Sequence, residues 1–363
     1  MLFTVLHNGC DILKCEMEES VEALSSLNME YSDKQEEAEI VIFFCCSFTL
    51  EREISTKKTI ERLVKEGKSV IVSGCFLHRF KPLFSNVDFV NRKDLQNYFK
   101  SRYNLSSSFV TKQTTIKHAC EKKQIINIAS GCIGHCTYCS IRQVRGHISS
   151  RPILDILQRI EQHKECTQIK LVAHDVSAYG YDIGTSLPNL LHNIWDKYPN
   201  LKIELGNLNI SFLKNYSKYE LELFKSVEGN LNLPIQSASN NVLMKMNRDY
   251  VIEDFYWLYE NLSSMNCKIS TDIIAGFPTE TDKDHVLNIR LLKDYYFDFA
   301  QIFMFDPRPN TQAAAMSQID ADIKAKRTIE LIACFLSTFH EKNHFSYNKM
   351  KESQFYNTNL IIN

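Results

Sequence analysis

Six apolar runs alternate with amphipathic stretches between Gln124 and about residue 345, and this alternation is what most limits the folds open to the chain. The strand candidates are Ile125 to Ala129, Ile169 to His174, Lys202 to Leu208, Leu231 to Ile235, Ile269 to Ala275 and Ala300 to Phe305. Helical spacing of apolar residues separates them, notably over Ile153 to His163, Asp254 to Met265 and Asp284 to Leu292. Repeated strand and helix units bury their apolar faces by forming a parallel sheet with helices outside it. Six units imply an open, partial (β/α)6 barrel whose chemistry sits at the carboxyl ends of the strands. Asp320 to Lys342 reads as a closing helix.

Residues 1 to about 100 carry the same logic on a smaller scale. Strands are expected over Leu2 to Leu6, Ala38 to Cys45 and Ser69 to Ser73, with amphipathic helices over Glu16 to Leu27 and Glu51 to Lys65. This is a small parallel α/β domain. Each strand runs into a cysteine, at Cys10, Cys46 and Cys75, and loops at the carboxyl ends of a parallel sheet lie along one edge. The three thiols can therefore converge. A polar, serine-rich stretch separates the two units, giving a first domain at 1–103, a linker at 104–118, a barrel at 119–345 and a polar tail at 346–363.

With 44 % hydrophobic and 23 % charged residues, and only eight prolines and eleven glycines, the chain has the make-up of a packed protein. No apolar run approaches the roughly 20 residues that span a bilayer, and the start has no basic leader, so a cytoplasmic protein without a membrane partner is expected. Twelve cysteines in such a chain argue against a disulfide framework. Their spacing is more telling than their number.

Three of them lie in Cys132-Ile-Gly-His-Cys136-Thr-Tyr-Cys139, directly after the first barrel strand. Intervals of three and two residues let three thiolates bind three irons of one cubane and leave the fourth iron open. S-adenosylmethionine (SAM) can chelate that iron, and an electron from the cluster can then cleave the adjacent sulfonium bond. Zinc is the competing reading, but it usually takes a fourth ligand and paired C-x-x-C spacing. His135 could supply one, yet it stands directly beside Cys136, where joint coordination would be strained. Cys15, Cys120, Cys166, Cys267 and Cys334 are scattered and are expected to be structural.

Further motifs follow in order. Gly131 to Cys139 is followed by Arg145-Gly146 and Ser150-Arg151-Pro152; His174-Asp175 leads to Tyr179-Gly180-Tyr181-Asp182. Then come Leu233-Pro234-Ile235-Gln236-Ser237-Ala238-Ser239, Met246-Asn247-Arg248, Thr271-Asp272-Ile273-Ile274-Ala275-Gly276-Phe277-Pro278 and Pro307-Arg308-Pro309-Asn310-Thr311. The series resembles the radical SAM methylthiotransferases over most of the chain. His174 stands where that family usually has glutamine, Leu13 where it has asparagine, and Phe44-Cys45 where it has Asn-Thr.

The resemblance implies a second [4Fe-4S] cluster on Cys10, Cys46 and Cys75, and it selects Cys46 over its neighbour Cys45. It implies that one SAM methylates a sulfur on that cluster. A second SAM, cleaved at the first cluster, yields a 5′-deoxyadenosyl radical that abstracts hydrogen from an unactivated carbon, which then captures the methylthio group. Tyr138 resembles the position whose backbone helps hold the adenine, its ring being equally suited to packing. Asp175, Asn209, Gln236 and Asp272 fall at the ends of the second to fifth strands and are expected to orient SAM or substrate, Ser237 beside them. Gly276 would let the backbone approach the adenine, or is a turn glycine. Arg145 and Arg151 would reach a substrate phosphate or carboxylate, or would be solvated.

Most family members carry a β-rich C-terminal TRAM domain after the barrel, and this sequence ends at Asn363 without room for one. A net charge of −1 offers no electrostatic replacement for handling a polyanion. A peptide or protein substrate, such as a ribosomally made precursor modified at a β-carbon, is therefore expected, with a tRNA adenosine as the alternative. A chain that kept the barrel and lost catalysis is the third reading, and the intact cysteine triads oppose it. A reductase or flavodoxin-type electron donor and a sulfur donor complete the expected partners.

Overall fold

The computed structural model describes residues 1–76, 78–105 and 123–343. Most of the expected linker, the tail and Cys120 lie outside them.

The first unit contains β1 (Leu2–His7), α1 (Asp11–Ser25), β2 (Glu30–Tyr31), β3 (Ile40–Cys46), α2 (Leu50–Lys65), β4 (Ser69–Cys75), β5 (Val87–Phe89) and α3 (Leu95–Tyr103). Its strands form one parallel sheet in the order β2-β1-β3-β4-β5. A parallel sheet covered on both faces needs unbroken apolar strands. Ile-Val-Ile-Phe-Phe-Cys-Cys in β3 meets that need, being buried through Cys45. Strand alternation sends Ile42 and Phe44 to the α1 and α3 face, and Val41, Phe43 and Cys45 to the α2 face with Ile60 and Leu63. Helix α1 starts earlier than expected, at Asp11, with an acid in its first turn and Cys10 at the cap position giving no side-chain hydrogen bond.

The second unit runs β6 (Lys123–Asn127), β7 (Ala129–Ser130), α4 (Ile141–Arg145), β8 (Ser149–Ser150), α5 (Ile153–Gln162), β9 (Gln168–Val172), α6 (Leu187–Lys197) and β10 (Lys202–Leu205). It continues through α7 (Ile210–Leu213), α8 (Lys218–Glu222), β11 (Val227–Glu228), β12 (Asn230–Asn232), α9 (Asn240–Lys245), α10 (Ile252–Ser264), β13 (Lys268–Ala275), α11 (Asp282–Asp294), β14 (Phe299–Met304) and α12 (Ala321–Asn343). The parallel strands lie in the order β6-β9-β10, then β12-β13-β14, around one buried cluster that includes Ile126, Leu171, Ile203, Leu231 and Ile273.

The expected fourth strand, Leu231 to Ile235, is instead a strand over Asn230–Asn232, and a separate two-residue strand at Val227–Glu228 precedes it. Val227–Glu228 pairs with β10, Asn230–Asn232 pairs with β13, and Gly229 turns the chain between them at a φ of 76°. The open barrel thus consists of two hydrogen-bonded sheets, stitched by single contacts such as Leu208 N to Asn232 O at 3.1 Å. Strands β9 and β10 also stop short of the apolar runs that announce them. Their last residues give way to Val176 N to Asn207 O (3.0 Å) and Asn209 N to Ser177 Oγ (2.7 Å), a polar layer at the barrel mouth.

Helix α1 joins the units. Its Asp11 meets Lys170 (2.7 Å), Glu16 meets Arg145 (2.6 Å), and Glu19 meets Arg151 (2.5 Å), Arg159 (3.1 Å) and Arg92. Between these acids, Ile12 and Cys15 pack on Val172, and Cys15 Sγ donates to Ile125 O at 3.3 Å. On the far side of the sheet, the buried Arg308 donates to Glu53 Oε2 at 3.0 Å and to Ser47 O at 2.7 Å. Among the described residues no helix is long and apolar enough to cross a membrane.

Removing one partner of a buried pair strands the other charge, at a cost of roughly 3–5 kcal/mol. Glu53→Ala leaves Arg308 with Asp306 at 2.8 Å as a carboxylate partner, so it should lower unfolding stability by part of that cost, about 1–3 kcal/mol, in a denaturant titration of the metal-free chain. Lys34→Ala, at an exposed pair with Glu37, should cost well under about 1 kcal/mol in the same assay.

Candidate active site

The first cysteine loop leaves β7 through Gly131, which has a φ of 77°. A Cβ there would stand 2.0 Å from His147 O, so only glycine lets the loop tuck under the β7–β8 pair. Cys132 N then donates to Gly146 O at 3.2 Å. Thr137 pins the middle of the loop, donating through Oγ1 to Lys245 O (2.9 Å) and through N to Met246 O (3.0 Å). Three N–H groups point at the sulfurs: Gly134 N at Cys132 (3.2 Å), Ile141 N at Cys139 (3.5 Å) and an Arg248 guanidinium N at Cys136 (3.2 Å). The thiols line a cavity of about 370 Å³ with Asn310 and Gln312. Burial pushes the Cys132 thiol up to about 11 and Cys139 to about 12, so a thiolate form here calls for a compensating cation.

His135 lines the same cavity but is exposed and paired with Arg142 at 3.0 Å, a cation that a zinc-bound imidazole nitrogen would not face. Among the described residues no three His, Cys, Asp or Glu side chains close on a single metal ion. Cubane ligation does not require it, because each thiolate takes a different iron. The donor set, the sulfur-directed N–H groups and the adjoining cavity fit a three-thiolate cluster with one open iron.

The second set sits at three adjacent strand ends. Cys46 lies opposite Cys75 in the β3–β4 register, and Cys10 follows β1, which pairs with β3 on its other side. Asn8 fixes this edge, its Oδ1 accepting from Cys46 N at 2.8 Å and its Nδ2 donating to Thr56 Oγ1 at 3.0 Å. Thr56 in turn donates to Cys46 O at 2.7 Å. Gly74, with a φ of 92°, lets β4 turn out beside Cys45 O, which an added Cβ would meet at 2.8 Å. Leu13 fills the space beside Gly9 and Gly74, where an added Cβ would meet its side chain at 2.3 and 2.8 Å. The alternation that buries Cys45 against α2 separates it from Cys46 and Cys75.

Arg145 ties the two sets together. It ends α4, six residues after Cys139, and its Nε and one terminal N donate to Cys75 Sγ at 3.2 and 2.9 Å. The same guanidinium grips Glu16 at 2.6 and 3.0 Å. The expectation that Arg145 and Arg151 are solvated or free for substrate is thus corrected. Arg145 is buried in this pairing, and Arg151 holds Asn127 O (2.7 Å) and Glu19.

At the barrel mouth Asp175 accepts from Asn209 Nδ2 at 2.8 Å and from Ala178 N at 3.2 Å. Asn209 also caps α7, and Arg248 reaches its Oδ1 at 3.4 Å. Burial raises the Asp175 carboxyl, with the Asn209 hydrogen bond opposing. Asp272 lies inside β13, not at its end, where Asn232 donates to it at 3.4 Å. Burial raises its carboxyl to about 6. Gln236 takes a left-handed φ of 65° and bridges to β13, its N donating to Asp272 O at 2.8 Å.

Other expected residues have structural partners. Ser237 is fully buried, its hydroxyl 3.5 Å from Asn288 and accepting from Ser239 N at 3.2 Å. Gly276 admits the side chain of Lys324 from α12, 2.5 Å from where a Cβ would be, so the close approach it permits here is that helix. The Tyr138 ring packs edge-on to Phe277 at 6.5 Å beside Val242 and Met246.

Two residues gain importance that sequence reasoning did not give them. Arg248 lay in a recognised run, but nothing in it told that the guanidinium faces Cys136. His174 is held neutral by burial, with the Arg145 charge acting the same way, and its Nδ1 has no hydrogen-bond partner among the described residues.

Both units of the chain are similar to known proteins. The radical SAM superfamily model matches residues 126–292, and the model described as uncharacterized protein family UPF0004 matches residues 3–90. The threonylcarbamoyladenosine tRNA methylthiotransferase of Homo sapiens is 37 % identical over 221 residues, spanning 59 % of this chain and 38 % of the human protein. The Drosophila melanogaster protein of that name is 30 % identical, over 91 % of this chain and 64 % of its own length. A probable threonylcarbamoyladenosine tRNA methylthiotransferase of Methanocaldococcus jannaschii is 27 % identical, over 88 % of this chain and 79 % of its own. Among solved structures, the radical SAM methyltransferase TsrM of Kitasatospora setae aligns with a TM-score of 0.64 at 11 % identity, over 86 % of this chain and 75 % of that one. At that identity the likeness is one of fold.

Barrel, cysteine loop and fold likeness define a radical SAM protein. The N-terminal domain and the named relatives narrow this further: the chain belongs to the radical SAM methylthiotransferase family, whose cofactors are [4Fe-4S] clusters and SAM.

Gly131→Ala should displace the first cysteine loop and abolish the SAM-responsive paramagnetic signal of the reduced protein, while a second iron–sulfur signal remains. A separate test concerns Asp272. Its folded-state value of about 6 exceeds the ordinary 3.8, so the stability it contributes is full below about 3.8 and lost as pH rises through about 6. In the metal-free chain, Asp272→Asn should flatten that loss, by up to about 3 kcal/mol between pH 4 and pH 7 in denaturant titrations.

Proposed function

We propose that this chain is a tRNA methylthiotransferase acting on an adenosine that already carries an N6 substituent, threonylcarbamoyl being the favoured one. The observation that carries the reaction class is the pairing of two three-cysteine sets, one at the barrel mouth and one at the N-terminal sheet edge, linked through Arg145 to Cys75. Cys132, Cys136 and Cys139 would hold one [4Fe-4S] cluster, and Cys10, Cys46 and Cys75 the other. With SAM bound, these groups supply reductive sulfonium cleavage and a transferable methylthio unit.

The remaining residues bind and orient. Hydrogen abstraction from carbon asks for no general base, so Asp175 and Asp272 are assigned to positioning, the first through Asn209 and the second beside Asn232 and Gln236. Arg248 places positive charge beside Cys136 and Asn209 at once. His174, uncharged across the physiological range, offers a hydrogen-bonding edge without electrostatic cost.

The expectation of a peptide substrate drew on the near-neutral charge of the sequence. It gives way to the relatives, which are named as tRNA enzymes in animals and in an archaeon. Anaerobically reconstituted protein should add one methylthio group to a tRNA bearing N6-threonylcarbamoyladenosine, read by mass spectrometry of the digested nucleosides. The same tRNA with unmodified adenosine should stay unchanged. Cys46→Ala should abolish the addition and leave SAM cleavage in place. Methylthiolation of a precursor peptide, with tRNA untouched, would reverse the assignment.

A further inference from the structure

We propose that Arg145 is a positioning residue of the second cysteine site, and that its two N–H···S hydrogen bonds to Cys75, opposed by the Glu16 carboxylate, set the reduction potential of the cluster held there. The inference rests on the assignment of Cys10, Cys46 and Cys75 as ligands.

The geometry is specific. Nε and one terminal N of Arg145 stand 3.2 and 2.9 Å from Cys75 Sγ, and the two terminal nitrogens stand 2.6 and 3.0 Å from the two Glu16 oxygens. One planar fork thus serves two anionic partners, which a lysine ammonium cannot reproduce. Side-chain exposure is 7 % for Arg145 and 2 % for Glu16, so salt and water screen neither interaction appreciably. Val144, next to Arg145, packs into the N-terminal core with Cys46 and Cys75, which holds the helix end in place. Ser47 adds a further constraint by donating its hydroxyl to Cys75 O.

The electrostatic sign is fixed by these positions. Reduction adds an electron to a cluster whose ligand sulfurs already carry negative charge. N–H donors on a sulfur stabilise the reduced state and raise the potential, whereas a nearby carboxylate lowers it. Arg145 and Glu16 therefore act in opposite directions on one couple. The guanidinium also belongs to the helix that follows Cys139, so the loop of the first site supplies the tuning group of the second.

The test uses the full chain with Cys132, Cys136 and Cys139 replaced by alanine, so that iron–sulfur loading reports only the second site. Its midpoint potential is followed by electron paramagnetic resonance during a dithionite titration. Arg145→Gln should move the potential in the negative direction, Glu16→Gln in the positive direction, and Arg145→Lys should fall between wild type and Arg145→Gln. A merely structural role would not give shifts of opposite sign from the two ends of one ion pair. About four irons per chain with an unchanged potential in both glutamine variants would overturn the proposal alone. No iron in the background chain would overturn the ligand assignment and the proposal with it.

Discussion

Helix α1 meets the barrel through carboxylates set among apolar contacts, and the placement of everything chemical depends on that junction. Asp11, Glu16 and Glu19 face Lys170, Arg145 and the Arg151 and Arg159 pair, with Ile12 and Cys15 packed between them. Buried ion pairs contribute little net stability, since desolvation offsets most of their attraction. What they supply is registry: a shifted helix would strand several charges at once. The same helix begins at Cys10, so fixing α1 fixes one candidate ligand directly and the sheet edge carrying the other two indirectly.

Each cysteine set is then built by a different local device. The barrel loop is shaped by a glycine that no other residue could replace and by a threonine that fastens it to the end of α9. The sheet edge is shaped by strand register, with Cys46 and Cys75 side by side and Asn8 stitching the neighbouring strand to them. Both devices rely on backbone constraint, as a site that must keep an iron coordination position free requires.

Much of this could be read from the residues alone, for physical reasons that also mark where the reading stops. Strand cores such as Ile40 to Cys46 are legible because a parallel sheet covered on both faces demands unbroken apolar runs. The C-x-x-x-C-x-x-C spacing is legible because it is a local geometric requirement. The short strand at Val227–Glu228 and the early end of the fourth strand at Asn232 depended on which neighbour each segment would pair with, which periodicity does not encode. Arg145 and Glu16 are 129 positions apart, and nothing local to either distinguishes a buried ion pair from two solvated charges. Ser237 and Gly276 lay in recognised runs, yet their contacts are with α11 and α12.

The central claim is that one chain carries two three-thiolate iron–sulfur sites, one on each side of the α1 junction. Anaerobic iron and sulfide analysis of the reconstituted chain, beside a variant lacking Cys10, Cys46 and Cys75, tests it most directly. The account predicts about eight irons for the intact chain and about four for the variant. Equal iron in both proteins would contradict it.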